Sequence, residues 1–307
     1  MKRRTLIAAL LAGALLSSVS PGAQAREDVP RRVIVLDWCL AELVLTLGVV
    51  PVGMANTPGF RRNFTACPVP DSVVDLGLMF QPNMELILAL KPDLILITPA
   101  HAPMRDALER VAPTATLGQF RASPTPYTGA CEETMRLARL FGREAQGKAA
   151  VAQARRAISQ ARARLAALPA YADAGSGASV YMTRFIDESH LRVFGTHSLF
   201  GELLAQLGLR NAWRGKDGGA GSAMIGFDAL DADYRATLVY VMPLPALTST
   251  MMHTSRVWQA MPFARKGRMT GMAAVPPEGG ILTAASFAHA LVDALAACPD
   301  PNAAEAT

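Results

Sequence analysis

The stretch EAQGKAAVAQARRAISQARARLAAL, residues 144–168, contains no proline and is rich in alanine and arginine. Its larger apolar residues recur at steps of three and four, which aligns them along one face of a helix: Val151, Ala154, Ile158, Ala161, Leu165 and Leu168. Such a helix is roughly 37 Å long at about 1.5 Å per residue. The pattern lasts for too few heptads to favour a coiled coil. It predicts a rigid helix that joins two folded halves.

The residues before this helix alternate between apolar runs of strand length and helical patterns. We predict strands and helices in turn: strands at Val33–Leu36, Val49–Met54 and Asp93–Ile97, and helices at Leu40–Leu47, Asn83–Leu90 and Met104–Val111. Gly48 and Pro113 end two of these helices. Regular alternation of this kind is typical of parallel βα units.

A second α/β region follows a break rich in glycine, alanine and serine at residues 169–178. It contains two predicted strands and three predicted helices: strands at Ser179–Met182 and Thr237–Met242, and helices at Ser198–Leu207, Arg256–Met261 and Thr283–Ala296. The predicted fold class is therefore α/β, with two lobes joined by one long rigid helix. The expected boundaries are residues 26–143 and 169–298 for the lobes, 144–168 for the helix and 299–307 for a flexible tail.

The first 25 residues have the pattern of a cleavable signal peptide. Lys2, Arg3 and Arg4 precede the apolar run Leu6–Leu16, and the small-residue sequence Ala23-Gln-Ala25 offers a cleavage site. The arginine pair leaves both the general secretory and the twin-arginine routes open. We expect a periplasmic protein without a membrane span.

The charge and motif content exclude several classes of protein. The net charge of +5 falls to +2 when the predicted signal peptide is removed. Lysine and arginine are scattered without interleaved aromatic residues, so we expect no nucleic-acid partner. The chain lacks a Gly-x-Ser-x-Gly elbow, a His-Glu-x-x-His pair and a Walker loop. We therefore predict that it is not an enzyme, with a secreted hydrolase as the alternative from another class.

Histidine and cysteine spacing predicts no metal bound directly by the protein. None of the five histidines is paired at helical spacing, and the four cysteines, Cys39, Cys67, Cys131 and Cys298, form no Cys-x-x-Cys motif. An oxidising compartment permits a disulfide. Buried free thiols are the other possibility, and the sequence leaves both open.

Three candidate ligand contacts follow predicted strands, where ligands of open α/β sheets gather. Arg184 comes after Ser179–Met182 and offers a planar fork of donors to an anionic or carbonyl-rich ligand. The alternative for Arg184 is a surface pair with Asp187 or Glu188. His101 follows the predicted strand Asp93–Ile97, and the alternative is a locally bonded histidine. Trp38 follows Val33–Leu36, and the alternative is a core anchor.

Several phrases in the chain resemble a known family. They are RVIVLDW at 32–38, LAELVLTLG at 40–48, PDSVVDLG at 70–77 and PNMELILALKPDLILI at 82–97. This series is similar to the periplasmic substrate-binding proteins of iron-siderophore and vitamin B12 ABC importers. The phrase VWQAMPFARKGR at 257–268 resembles the ferric-hydroxamate branch of that group.

The resemblance implies a helical-backbone (class III) periplasmic binding protein. Such a protein captures a ferric siderophore, hydroxamate-type in this branch, and delivers it to an inner-membrane ABC permease. It implies a monomer without a cofactor, in which the iron stays inside the chelate. It also places Asp106 and Asp228 at the two lobe tips that meet the permease. The alternative for each is an acid that stabilises the start of a helix.

The ligand positions implied by the resemblance are largely altered in this chain. An arginine of the family falls at Met79 and a tyrosine at His101. Aromatic positions fall at Asn63, Ala220, Pro276 and Glu278, and Ser222 alone matches.

We expect Arg184 to replace the missing arginine, and Trp38, Met79 and Phe80 to give an apolar wall. Glu278 repels an anionic complex unless it binds a ligand amine or pairs with an arginine. The alternatives are therefore cobalamin, haem or a non-hydroxamate chelate in the same architecture, or an iron sensor without a transport role.

Overall fold

The computed structural model describes residues 29–171, 178–230, 233 and 235–298. The predicted signal peptide and the predicted C-terminal tail lie outside these residues. In the part of the chain that is described, no helix has the length and apolarity needed to cross a bilayer.

The first lobe is built on a parallel five-stranded sheet with the strand order β3-β2-β1-β6-β7. Side chains of its central strands alternate between two buried faces. Val33 and Val35 join one core cluster while Ile34 joins another, as expected for a sheet covered on both sides. The strands of this half are β1 Val33–Val35, β2 Gly53–Met54, β3 Val74–Asp75, the hairpin β4 Gly77–Leu78 and β5 Gln81–Pro82, β6 Leu94–Ile97 and β7 Thr114–Thr116.

Helices connect these strands and cover the sheet. Asp37 caps the first helix, since its Oδ1 accepts from the backbone N–H of Leu40 at 3.1 Å. Asn83 caps the third in the same way. The helices are α1 Trp38–Thr46, α2 Thr57–Asn63, α3 Met84–Ala89, α4 Arg105–Glu109 and α5 Pro126–Leu140, with 3₁₀ turns at Pro99–Met104 and Gln119–Ala122.

The predicted long helix is present as α6, Glu144–Ala166. Five of the six predicted apolar positions are buried along one face, and Leu168 packs against the same core beyond the end of the helix. The helix packs against α5 and the last helix of the chain rather than spanning open space. The two lobes are therefore connected by a helix held along its length.

The second lobe contains a mixed sheet with the order β11-β9-β8-β12-β13, and β10 also pairs with β8. The β8–β12 and β12–β13 pairs are parallel, whereas β8–β9 and β9–β11 are antiparallel. Its strands are β8 Ser179–Phe185, β9 His190–Phe194, β10 Arg210–Asn211, β11 Ser222–Gly226, β12 Thr237–Val241 and β13 Met269–Met272. Its helices are α7 Leu199–Gln206, α8 Thr248–Thr254, α9 Arg256–Ala260, α10 Pro262–Arg265 and α11 Ile281–Ala296.

One hydrophobic core runs through both lobes. It includes Val35 of the first sheet, Ile158 of α6, Val180 and Val239 of the second sheet, and Leu291 of α11. Separating the lobes would expose this apolar surface to water at a cost of about 25 cal/mol per Å². The arrangement therefore resists large hinge motion.

Two carboxylates cross between the lobes and cap helices on the opposite side. Glu42 of α1 is fully buried and accepts from Gly280 N–H at 2.7 Å, Thr283 N–H at 2.8 Å and Thr283 Oγ1 at 2.7 Å, at the start of α11. Burial raises the pKa of Glu42, and these hydrogen bonds oppose the rise. A Cβ on Gly280 would lie 2.4 Å from Leu43 Cδ2, so glycine permits this close approach.

The second carboxylate is Glu202 of α7, which reaches from the second lobe to a helix of the first lobe. It accepts from Tyr127 N–H at 2.6 Å, Thr128 N–H at 3.1 Å and Thr128 Oγ1 at 2.7 Å, at the start of α5. Each lobe thus satisfies free N–H groups of a helix in the other lobe. The pair fixes the lobes relative to each other by directional contacts.

We expect Glu42→Gln and Glu202→Gln each to lower the free energy of unfolding by about 1–3 kcal/mol. Both oxygens of each carboxylate accept hydrogen bonds, and an amide NH₂ group cannot accept from a facing N–H. Urea denaturation of the mature protein measures the change. Glu132→Gln, at an exposed position on α5, is the control and should stay within about 0.5 kcal/mol of wild type. Equal stability of all three variants would contradict the capping role.

Candidate ligand-binding cleft

A cleft of about 430 Å³ lies between the lobes, on the side where β1, β8, β12 and β13 end. Such a position is where open α/β sheets bind ligands. The first lobe contributes Asp37, Trp38, Cys39, Arg62, Asn63, Phe64, Thr65, Met79 and Arg121, and the second contributes Arg184, Val241, Met242, Pro243 and residues 274–278.

Trp38 forms part of the wall and is also anchored in the first lobe. Its indole N–H donates to the carbonyl of Ala55 at 3.1 Å, and its ring packs edge-on against Phe60 and Phe64. Trp38 is therefore both a core anchor and a cleft residue, because its indole ring is fixed by the first lobe while the side chain remains half-buried at the cleft.

Asp37 and Arg121 form the charged floor of the cleft. Arg121 Nη1 lies 2.9 Å from Asp37 Oδ2 and 3.6 Å from Glu278 Oε2. Burial by itself lowers the pKa of Arg121, but the negative charges of Asp37 and Glu278 raise the pKa above its ordinary value. Because Glu278 belongs to the second lobe, this cluster spans the cleft.

Arg184 lies near the end of β8 and lines the cleft from the second lobe. Asp187, one of its two alternative partners, instead accepts hydrogen bonds from Ser189 N–H and from His190. No ion pair of Arg184 occurs among the described residues. Its donors are therefore available to a ligand.

Four further residues from the sequence analysis are also at the cleft. Met79, Asn63 and Glu278 all line it, with Pro276 beside them. The aliphatic and aromatic lining outweighs the polar lining, which is usual for a small-molecule site.

Contrary to the sequence-based expectation, His101 does not line the cleft in this structure. Its side chain is 1% exposed and is not among the residues of the cleft wall. Its Nδ1 accepts from the backbone N–H of Thr98 at 3.2 Å, and its ring packs against Phe80 with centroids 5.0 Å apart. His101 does follow strand β6, as the sequence analysis assumed for a ligand contact. However, the 3₁₀ turn at Pro99–Met104 directs its side chain into the protein.

Phe80, Ala220 and Ser222 also lie outside the cleft wall. Phe80 is exposed beside His101. Ala220 lines a neighbouring depression of about 300 Å³ that shares Arg121 with the cleft. Ser222 begins β11, where its Oγ accepts from Arg192 at 3.3 Å. These three side chains do not reach the cleft in this structure.

Arg121 is one of the cleft residues that the sequence analysis missed. It follows β7, so the rule that identified Arg184 applies to it as well. The sequence signal was weak because β7 is only the three residues Thr114–Thr116, without an apolar run. Arg62 lies in the last turn of α2 and was also missed, because it does not directly follow a strand.

The described residues contain no group of three or more histidine, cysteine, aspartate or glutamate side chains that could hold a metal ion. Cys39, Cys67, Cys131 and Cys298 are all free thiols. Burial raises the pKa of the Cys39 thiol well above its usual range, so this thiol in the cleft wall stays protonated at neutral pH.

Residues 33–275 match the periplasmic binding protein family, which covers both sheets and the long helix. The chain belongs to this family. It is thus one of a group of substrate-binding transport proteins whose members are periplasmic.

Two relatives match nearly the whole chain. The iron(3+)-hydroxamate-binding protein FhuD of Escherichia coli is 31% identical over 295 residues, covering 96% of this chain and 97% of the relative. The siderophore-binding protein FhuD of Vibrio cholerae, solved with Fe³⁺-Desferal, superposes with a TM-score of 0.78 at 30% identity. That comparison covers 88% of this chain and 99% of the solved one.

A partial match extends to a different ligand class. The Fe(3+) dicitrate-binding periplasmic protein FecB of Escherichia coli is 29% identical over 187 residues, covering 60% of this chain and 57% of FecB. These relatives are therefore named for different iron chelates.

Asp106 and Asp228 are exposed and lie on different lobes. Asp106 is in the first turn of α4, and Asp228 is in the 3₁₀ turn Phe227–Leu230. Neither side chain lines the cleft.

We expect the burial of His101 to make stability depend on pH. Burial lowers the pKa of folded His101, and the nearby charge of Asp37 opposes part of this effect. Below the ordinary histidine pKa of about 6.5, the unfolded chain takes up a proton that folded His101 resists, so stability is lost as pH falls through that value toward the lower folded pKa.

The test is the pH dependence of the urea midpoint between pH 7 and 5. His101→Gln should show a shallower loss than wild type, because its amide oxygen can still accept from Thr98 without titrating. His253→Gln, at an exposed position, should follow wild type. Parallel curves for all three proteins would show that His101 contributes nothing to the pH dependence.

Proposed function

We propose that this protein captures a ferric siderophore in the periplasm, hydroxamate-type as the leading class, and delivers it to an inner-membrane ABC permease. The observation that carries the proposal is the interlobe cleft in a chain similar over almost its whole length to two ferric-hydroxamate-type binders. The cleft volume of about 430 Å³ lies within the range of small-molecule sites.

The proposed mechanism is reversible binding without chemistry. Arg184 donates hydrogen bonds to the negatively polarised oxygens that surround the iron, and Trp38 and Met79 cover the apolar parts of the chelate. The iron remains coordinated by the siderophore, so the protein recognises the outside of the complex. The interlobe caps and shared core favour a preformed cleft, which lowers the cost of ordering on binding.

The first test is a tryptophan-fluorescence titration of the mature protein with ferric hydroxamates, ferric catecholates, ferric citrate, cobalamin and haem. We expect saturable quenching by a ferric hydroxamate, since Trp38 lines the cleft. Arg184→Ala should weaken that binding about 10-fold to 100-fold, the range for losing a hydrogen bond from a charged group.

Arg192→Ala is the matched control. Arg192 lies directly across from Arg184 in the β8–β9 pair and bonds to Ser222 outside the cleft. Its removal should leave affinity nearly unchanged. Saturable quenching by cobalamin or haem alone would replace the ligand class, and equal loss in both variants would argue against a specific role for Arg184.

We also propose that Asp106 and Asp228 dock the loaded protein onto basic residues of the permease. Exposed acids on two lobes held at fixed separation give complementary charges a defined register. The double variant Asp106→Lys/Asp228→Lys should reduce iron uptake about tenfold or more while ligand affinity stays unchanged.

Uptake is measured in iron-limited cells that express the permease and lack the native binding protein. Glu132→Lys, an exposed charge reversal on α5, serves as the control and should transport normally. Normal uptake by the double variant would rule out this docking surface.

A further inference from the structure

Five charged side chains line the cleft: Asp37, Arg62, Arg121, Arg184 and Glu278. These side chains differ in how firmly hydrogen bonds and ion pairs hold them. Asp37 is 5% exposed, caps α1 through one oxygen and pairs with Arg121 through the other. Asp37 and Arg121 therefore largely neutralise each other in the floor.

Glu278 is held much less firmly. Its side chain is 43% exposed, and its contact with Arg121 Nη1 at 3.6 Å is too long for a hydrogen bond. The same nitrogen already lies 2.9 Å from Asp37. Since one guanidinium faces two carboxylates, the group of Asp37, Arg121 and Glu278 carries one excess negative charge, and Glu278 is its most accessible member. Arg62 and Arg184 make the cleft lining as a whole positive by one charge, so the negative charge is local to Glu278.

The opposite charge is found elsewhere on the same wall. Arg184 lies on β8, whereas Glu278 follows β13, and β12 separates these two strands. Both side chains line the cleft, and Arg184 has no ion pair among the described residues. The wall from the second lobe is therefore dipolar, with a free cation at one end and a loosely paired carboxylate at the other.

We propose that Glu278 selects ligands by charge, favouring a ferric hydroxamate that carries a protonated amine over the same chelate without that charge. This inference rests on the proposed function and adds the charge of the preferred substrate. An ammonium group near Glu278 gains a charge-assisted hydrogen bond, whereas a carboxylate or phenolate there meets like charge in a partly desolvated site.

The test compares two probes that differ by one charge. One is a linear ferric trihydroxamate that ends in a primary amine, and the other is the same chelate with that amine acetylated. Wild type should bind the amine form about twofold to fivefold more tightly, the upper part of the range for one partly exposed ion pair. Raising the salt concentration should reduce the preference.

Three variants identify the residue responsible. Glu278→Gln should bring the ratio of dissociation constants for the two probes close to one. Glu188→Gln removes an exposed carboxylate outside the cleft lining and should keep the wild-type ratio. Arg184→Ala should weaken binding of both probes while preserving their ratio. Melting temperatures confirm that each variant is folded.

The outcomes distinguish a failure of the charge selection from a failure of the proposed function. Binding of both probes by wild type with a ratio below twofold would overturn the charge selection and leave the proposed function intact. A ratio that survives Glu278→Gln would overturn the role of this residue. Failure of wild type to bind either probe would overturn the hydroxamate proposal and the charge selection together.

Discussion

The structure depends on two carboxylates that cap helices across the lobe boundary. Glu42 reaches from the first lobe to the start of α11, and Glu202 reaches from the second lobe to the start of α5. Helix N-termini carry unsatisfied N–H groups and partial positive charge, so each cap supplies both hydrogen bonds and charge. Together with the core that runs through α6, these contacts hold the cleft walls at a fixed separation.

The cleft lining is largely separate from the contacts that hold the lobes together. Met79, Asn63 and Glu278 line the cleft but belong to neither the interlobe helix caps nor the buried core, so we expect substitutions there to leave the scaffold intact. Asp37 is the exception, because it both caps α1 and holds Arg121. A change at Asp37 would alter the fold and the charge of the cleft at once, whereas a change at Glu278 alters mainly the charge.

Prediction of individual elements succeeded where a pattern was long or strongly apolar. The helix α6 and the strands Leu94–Ile97 and Thr237–Val241 agree closely with the sequence analysis. The predicted strand Val49–Met54 shortens to Gly53–Met54, since Pro51 lacks a backbone N–H for pairing. Helix α5 and the strands β9, β11 and β13 were missed, and the strands are short, partly exposed or interrupted by glycine.

The sequence by itself determined the α/β class, the two halves, the connecting helix and the family, because these depend on periodicity and on contiguous motifs. Only the tertiary structure decided which side chains face the cleft. His101 and Arg184 both lie near the ends of strands, yet a 3₁₀ turn buries the first while the second faces the cleft. The meeting of Arg121 with Asp37 and Glu278 joins residues up to 241 positions apart, and such proximity follows from packing of the lobes rather than from any local pattern.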